Sequence, residues 1–183
     1  MTAVTALEAL KGRLGYSELL AGVSRSDLWG VWSNVKEEEI ERLAGDLVDG
    51  TSVFVNPNKH KWKVWTGGKE EPPLRSGGAW VLVWDSEETE GRRALAELRG
   101  ASFSRKVDRV SRATLWRLSF AEPAKGKELS LAREMAVAAR RDLGLLANPH
   151  MHRWACGEGA ISLERALSYL DLSCRPGEDV DCT

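Results

Sequence analysis

Hydrophobic residues recur along the chain with both helical and strand periodicity. Leu7, Leu10 and Leu14 follow one another at helical intervals and predict a first helix that ends near Gly15. The segments 23–32 and 79–84 are rich in valine, leucine and tryptophan, which favour strands. The same criteria predict helices from about residue 34 to 47, around 94–98 and from about 128 to 143, and strands over 52–65, over 107–120 and through 148–154. Ser162 as an N-cap favours a further short C-terminal helix with Leu163, Leu167 and Leu170 on one face.

Two phrases occur twice, in the same order. "VSRSDLW" at residues 23–29 returns as "VSRATLW" at 110–116, and "NPNKHKW" at 56–62 returns as "NPHMHRW" at 148–154. Repetition of this kind predicts a tandem duplication of one folding unit. We place the first unit at residues 1–66, a Gly- and Pro-rich linker at 67–78, the second unit at 79–160, and a C-terminal helix and tail at 161–183.

The alternation of helices and short strands predicts an α+β fold made of two tandem ferredoxin-like units. Only the second unit has a leading strand, "AWVLVW" at residues 79–84. This strand is apolar on both faces, so a second layer must cover the face that its own helices leave open. We expect the sister unit to pack there, sheet to sheet about a pseudo-twofold axis, with an identical chain as the alternative.

These phrases, together with "LLANP" at residues 145–149, resemble PurS, the small subunit of phosphoribosylformylglycinamidine synthase in purine biosynthesis. The resemblance covers most of the chain. It implies a non-catalytic protein without a cofactor that dimerises through its sheets and bridges the synthetase and glutaminase subunits. A chain with two such units resembles that dimer made in one piece. The Gly-Lys pair typical of the family's second strand is absent at Ser26-Asp27 and at Ala113-Thr114.

Composition narrows the range of partners. The formal net charge of −1 provides no overall attraction to nucleic acid or to an anionic membrane. No apolar run reaches the roughly 18 to 20 residues that cross a bilayer, and the N-terminus lacks the pattern of a secretion signal, so we expect a cytoplasmic protein without a membrane partner. Cys156, Cys174 and Cys182 are odd in number and are expected to be reduced thiols.

The repeated polar and aromatic residues are the candidate binding residues. Arg25 and Arg112 could hold a carboxylate or a phosphate in a bidentate contact, or could form a salt bridge between the two halves. An alternative function is therefore a small-molecule binder, for a nucleotide or a phosphate ester, with its pocket between the repeats. Its candidate residues are the members of the two repeated phrases: Arg25, Arg112, His60, His152, Trp62, Trp154, Asn56 and Asn148.

Two further interpretations rest on local composition. His150, His152 and Cys156 fall on one face of an extended segment and are weak candidates for a metal site, because a full tetrahedral ligand set is missing.

"NKHKWKVW" is typical of a groove for single-stranded nucleic acid, with Lys59, Lys61 and Lys63 interleaved with aromatic residues. Because successive side chains of a strand point to opposite faces, the lysines would share one face and the aromatic residues the other. This alternation favours another interpretation, a strand with one basic solvated face and one packed aromatic face. No nucleophile elbow or phosphate loop is present to suggest an enzyme on its own.

Overall fold

A computed structural model describes residues 1–56, 60–65, 78–100, 106–137 and 144–171. This part of the chain is α+β, with one four-stranded antiparallel sheet and five α-helices, and it is compatible with a ferredoxin-like fold. In chain order the elements are α1 (Ala3–Gly12), β1 (Leu20–Ser33), α2 (Ile40–Gly50), β2 (Gly78–Asp85), α3 (Thr89–Gly100), β3 (Val107–Phe120), α4 (Glu128–Ala136), β4 (His152–Glu158) and α5 (Leu163–Leu170).

The strand order is β1-β3-β2-β4, and every neighbouring pair is antiparallel. β2 and β3 occupy the centre, and this explains why "AWVLVW" in β2 is apolar on both faces: its interior residues are buried throughout. β1 and β4 form the two edges. Among the described strands, β1 pairs with β3 alone, so its other edge is unpaired.

Helices α1 to α4 cover one face of the sheet. α1 and α4 share a core cluster with β2 and β3, in which Leu10 and Met135 are fully buried. α2 and α3 form the neighbouring cluster, where Leu43 and Leu98 pack beside Val110 of β3. α3 approaches β3 so closely at Gly91 that a Cβ atom there would overlap the carbonyl oxygen of Val110. The glycine therefore allows a helix-to-sheet distance that no other residue permits.

α5 covers the opposite face. Ala166 and Leu170 pack against Trp80, Leu82 and other central side chains. The prediction of sheet-to-sheet packing between the repeats is therefore wrong for the described residues, because their strands lie edge to edge in one sheet and a helix provides the second layer. The predicted C-terminal helix is confirmed, and the Ser162 hydroxyl accepts a hydrogen bond from the Arg165 backbone N–H at 3.0 Å.

Arg109 fixes the end of α5 to the sheet. Its guanidinium donates to the Leu170 carbonyl oxygen at 2.7 Å and forms ion pairs with Asp171 at 2.7 Å and Glu88 at 2.8 Å. Burial alone would lower the pKa of Arg109, but the bonds to these two carboxylates outweigh it and raise that pKa above its ordinary value. The guanidinium also lies over the Trp32 ring, 4.5 Å from its centroid. This network joins α5 to both β1 and β3.

The pairing of β1 with β3 brings the two VSRxxLW phrases together. The register places Asp27 directly opposite Thr114, and these residues occupy the same place in the two phrases. Arg25 then faces Trp116, and Trp29 faces Arg112. Each arginine of one phrase thus lies across from the tryptophan of the other, as a local twofold axis through the Asp27–Thr114 pair requires.

Several predicted elements differ from the structure. The strand expected over residues 52–65 is absent from the described residues of that segment; the one described strand before it, β1, pairs with β3. The helix expected from about 128 to 143 ends at Ala136, because Val137 is extended and bridges to Ala147. The strand expected through 148–154 begins only at His152. The helix expected from Asn34 begins as an α-helix only at Ile40, after one turn of 3₁₀-helix at Glu37–Glu39. The strands predicted at 79–84 and 107–120 are confirmed as β2 and β3.

Several predictions fall on residues that the structure does not describe. They concern Pro57 and Lys59 of the first NPxxHxW phrase, the linker before Gly78, and the tail with Cys174 and Cys182. None of the described helices combines the length and the apolar character that crossing a membrane requires.

Candidate functional site

The two repeated arginines meet at one carboxylate. Arg25 binds Asp27 Oδ1 at 2.8 Å, and Arg112 binds Asp27 Oδ2 at 3.0 Å. Arg112 also forms an ion pair with Glu90, and Arg25 donates to the Met1 carbonyl oxygen at 2.9 Å. The Arg112–Asp27 pair joins β3 to β1, which agrees with the interpretation of these arginines as a salt bridge between the two halves.

Each arginine also lies on the tryptophan opposite. The Arg25 guanidinium is 5.7 Å from the centre of the Trp116 ring, and the Arg112 guanidinium is 5.1 Å from that of Trp29. These distances are within the range of cation–π attraction. The arginine and tryptophan of VSRxxLW therefore serve one purpose in both copies: they hold the two copies against each other across the local axis.

The two NPxxHxW phrases share a hydrogen-bonded turn. The Asn56 backbone N–H donates to His60 Nδ1 at 3.3 Å, and the Asn148 N–H donates to His152 Nδ1 at 3.1 Å. In return, the N–H of each histidine donates to the carbonyl oxygen of its asparagine, at 2.9 Å and 2.8 Å. Asparagine and histidine thus close the same turn twice, which gives their repetition a local structural reason.

The candidate residues are not gathered into one pocket. His152 lies on β4 opposite Asp85, at the edge of the sheet farthest from β1, whereas Arg25 and His60 line a groove beside β1. The two tryptophans also differ: Trp154 is partly buried against the main core, but Trp62 is 45% exposed. Residues 60–64 are all exposed, so the expected packed aromatic face is not found there.

The weak metal candidates lie in different environments. Cys156 is buried in the core cluster beneath α4, while His150 is exposed in the turn before β4. His152 contributes its Nδ1 to the turn described above. Within the described part of the chain, no three His, Cys, Asp or Glu side chains converge as metal ligands.

A groove runs along the unpaired edge of β1, and we call it the β1 groove. Its cavity volume is about 1330 Å³, above the roughly 300 to 1,000 Å³ of small-molecule pockets. Residues 24–31 of β1 and residues 60–65 line it, together with residues of β2 and β3 that include Ala79 and Arg117. We refer to residues 24–31 as its floor and to residues 60–65 as its outer wall. α2 lies on one side and α5 on the other, with these main lining residues: Ile40, Ala44 and Val48 from α2, and Leu163 and Leu167 from α5.

This groove holds most of the exposed large apolar side chains. Seven are found among the described residues, and four of them line the β1 groove: Val31, Trp62, Val64 and Leu167. Isolated apolar side chains on a surface are ordinary, but a contiguous group in a groove marks an interaction site. The sequence-based expectation that bears on this surface is the first predicted unit without a leading strand, since such a strand would cover an edge of the sheet.

The β1 groove is also basic. Its charged lining residues are Arg25, Lys61, Lys63 and Arg117, with Asp27 as the one carboxylate among the described lining residues. Asp27 is already bound by Arg25. Arg117 donates to Ser26 Oγ at 3.0 Å and forms no ion pair with the described residues, and its burial lowers its pKa below the ordinary value. The groove therefore combines apolar walls with positive charge that the described residues leave unneutralised.

Comparisons of this chain with protein-family models, with curated proteins and with solved structures give no match.

Proposed function

We propose that this protein is a non-catalytic interaction module built from two PurS-like units, and that it binds a protein partner through the β1 groove. The β1 groove is the observation that carries the proposal. A strand edge with unpaired backbone groups is a ready template for another chain, and proteins normally cover or charge such edges. Here exposed apolar side chains flank the edge together with the basic residues of the groove, as expected of a surface that a partner covers.

The PurS resemblance suggests the identity of that protein partner. Members of that family dimerise through their sheets and bridge the synthetase and glutaminase subunits of phosphoribosylformylglycinamidine synthase. The arrangement of the VSRxxLW phrases about a local axis supports the proposal of two units joined like a dimer in one chain. Under this proposal the units are joined along an edge, and the remaining edge of β1 is left for assembly.

The small-molecule alternative has less support from the geometry. A nucleotide pocket between the repeats required Arg25, Arg112, His60 and His152 to converge, but of these only Arg25 and His60 line the β1 groove. The single-strand nucleic-acid alternative retains Lys61, Lys63 and the exposed Trp62. Trp29, Phe54 and Trp65 also line the groove, but Trp62 is the one exposed side chain among the described Trp, Tyr and Phe residues. The groove therefore lacks the series of open aromatic platforms on which single-stranded bases stack.

Co-elution tests the proposal directly. The chain would be mixed with purified synthetase and glutaminase subunits of a PurS-dependent synthase and separated by size-exclusion chromatography with light scattering. We expect a complex that contains this chain, and a weaker one with the Leu167→Glu variant. Separate elution of all components at micromolar concentration would contradict the purine assignment, and retention of a single-stranded oligonucleotide instead would favour the nucleic-acid alternative.

A further inference from the structure

In the second half of the molecule, a strand occupies the place that corresponds to the β1 groove. There, β2 lies between β3 and β4 and pairs with residues 113–119 of one and residues 152–158 of the other. By the VSRxxLW repeat, residues 113–119 correspond to residues 26–32 of β1. By the NPxxHxW repeat, residues 152–157 correspond to residues 60–65. These two corresponding segments are the floor and the outer wall of the β1 groove.

We infer that the β1 groove takes an extended segment of a partner protein, which lies antiparallel to β1 in the place that corresponds to β2. This inference rests on the proposed function and specifies the partner surface. β2 is antiparallel to β3, and β1 corresponds to β3, so the same direction relative to β1 is expected. The added strand gains affinity from main-chain hydrogen bonds and specificity from its alternating side chains.

The walls define the chemistry of the segment. α2 flanks one face of the inserted strand and α5 flanks the other, so its side chains must be apolar on both faces, as those of β2 are. Lys61 and Lys63 line the outer wall and form no ion pair with the described residues, and Arg117 lies at the groove with a hydroxyl as its partner. An apolar segment with acidic residues at its ends is therefore complementary in both shape and charge.

A second copy of this chain fits the groove less well. The strand of suitable character, β2, is already central in its own sheet, with both edges paired. Pairing of two β1 edges would need open access along the edge, but residues 60–65 line the outer side of the same cavity. The groove is therefore shaped for one inserted strand rather than for a second sheet.

Two labelled peptides provide the probe. Both contain the β2 sequence "GAWVLVWD"; one is flanked by glutamates and the other by lysines. Fluorescence anisotropy should show that the full chain binds the glutamate-flanked peptide about tenfold more tightly. The double variant Lys61→Glu, Lys63→Glu should reverse that preference. Equal binding of the two peptides, or no binding of either, would overturn the inference.

Matched variants locate the binding surface. Trp62→Ala and Leu167→Glu should each weaken binding of the glutamate-flanked peptide by about tenfold, because hot-spot side chains of this kind dominate such interfaces. Met151→Glu is the control, since Met151 is 61% exposed and lies outside the β1 groove. Circular dichroism confirms that each variant is folded. Loss of affinity in the Met151 variant to the same extent would remove the groove as the binding surface.

The remaining outcomes separate this inference from the purine assignment. Peptide binding without co-elution of the synthase subunits would reject the purine partner and retain the strand-binding groove. Co-elution that Trp62→Ala and Leu167→Glu leave unchanged would retain the complex and reject the groove. Concentration-dependent dimerisation that Leu167→Glu abolishes would overturn the inference in favour of a second copy of this chain.

Discussion

At the residue scale, Asp27 is the side chain whose role is most sharply defined. It accepts hydrogen bonds from both Arg25 and Arg112, and the three side chains are 34%, 29% and 26% exposed. We predict that Asp27→Asn lowers the free energy of unfolding by about 1 to 2 kcal/mol, because partly exposed ion pairs contribute less than buried ones. Urea denaturation measures the loss. Asp46→Asn, at an exposed position on α2, is the control and should leave the midpoint unchanged.

The two tryptophans of the NPxxHxW phrases give a second residue-scale prediction. Trp154 packs against the main core and Trp62 is 45% exposed. Trp154→Ala should lower the free energy of unfolding by about 2 to 3 kcal/mol, less than a fully buried tryptophan would. Trp62→Ala should change it by less than about 0.5 kcal/mol. Equal losses from the two variants would show that both tryptophans serve the same packing role.

The candidate residues were visible in the sequence, but their grouping was not. Repetition identified both arginines, both histidines and both tryptophans. It could not show that Arg112 would share Asp27 with Arg25, because that contact depends on the register between β1 and β3. Register is set by packing across the whole sheet, and a shift by one residue would have turned these side chains to opposite faces.

At the element scale, α3 depends on a glycine that α2 does not need. A Cβ at Gly91 would overlap the Val110 carbonyl, while a Cβ at Gly45 of α2 has nothing within 4 Å. Alanine favours a helix over glycine by about 1 kcal/mol, so Gly45→Ala should raise the free energy of unfolding by up to about that amount. Gly91→Ala should lower it by about 1 to 3 kcal/mol, because overpacking against backbone outweighs the helix preference.

Thermal or urea unfolding of both glycine variants checks this prediction, and the opposite signs make each the control of the other. A stabilised Gly91→Ala variant would mean that α3 can move away from β3 without loss.

The elements themselves were predictable wherever periodicity and local partners agreed. β2 and β3 were predicted within a residue or two, because valine, leucine and tryptophan recur along both. The existence of α5 was predicted from Ser162 as its N-cap and from its leucines on one face. Residues 60–65 have the composition of a strand and were predicted as one, but a strand needs a hydrogen-bonding neighbour. In the described structure the first half contains one strand, β1, and its partner is β3.

At the scale of the whole molecule, α5 closes the second face of the sheet. Leu170 is 2% exposed among Trp80, Leu82 and Leu115, whereas Leu167 in the same helix is 37% exposed. Leu170→Ala should lower the free energy of unfolding by about 2 to 5 kcal/mol, and Leu167→Ala by less than about 1 kcal/mol. Denaturant titration with tryptophan fluorescence detects both. Similar small losses would show that the second face is stable without α5.

The repeated phrases are visible in the sequence, whereas the way in which the structure brings the VSRxxLW phrases together was not predictable from it. Because β2 is apolar on both faces, a second layer of structure must pack on each face of the sheet. Either a second sheet or a helix can form such a layer. The choice depends on the relative area that each arrangement buries, and the sequence pattern does not encode that comparison.

Under the proposed duplication, the Asp27–Thr114 pair has an evolutionary consequence. In an assembly of two identical subunits, the residue on the twofold axis must face its own copy, so a carboxylate there would oppose a carboxylate. Once both strands belong to one gene, the two axial positions can mutate separately. Here one position carries an acid that serves both arginines, and the other carries a neutral hydroxyl residue. Covalent linkage has thus permitted a charge balance that a symmetric pair of identical subunits cannot reach.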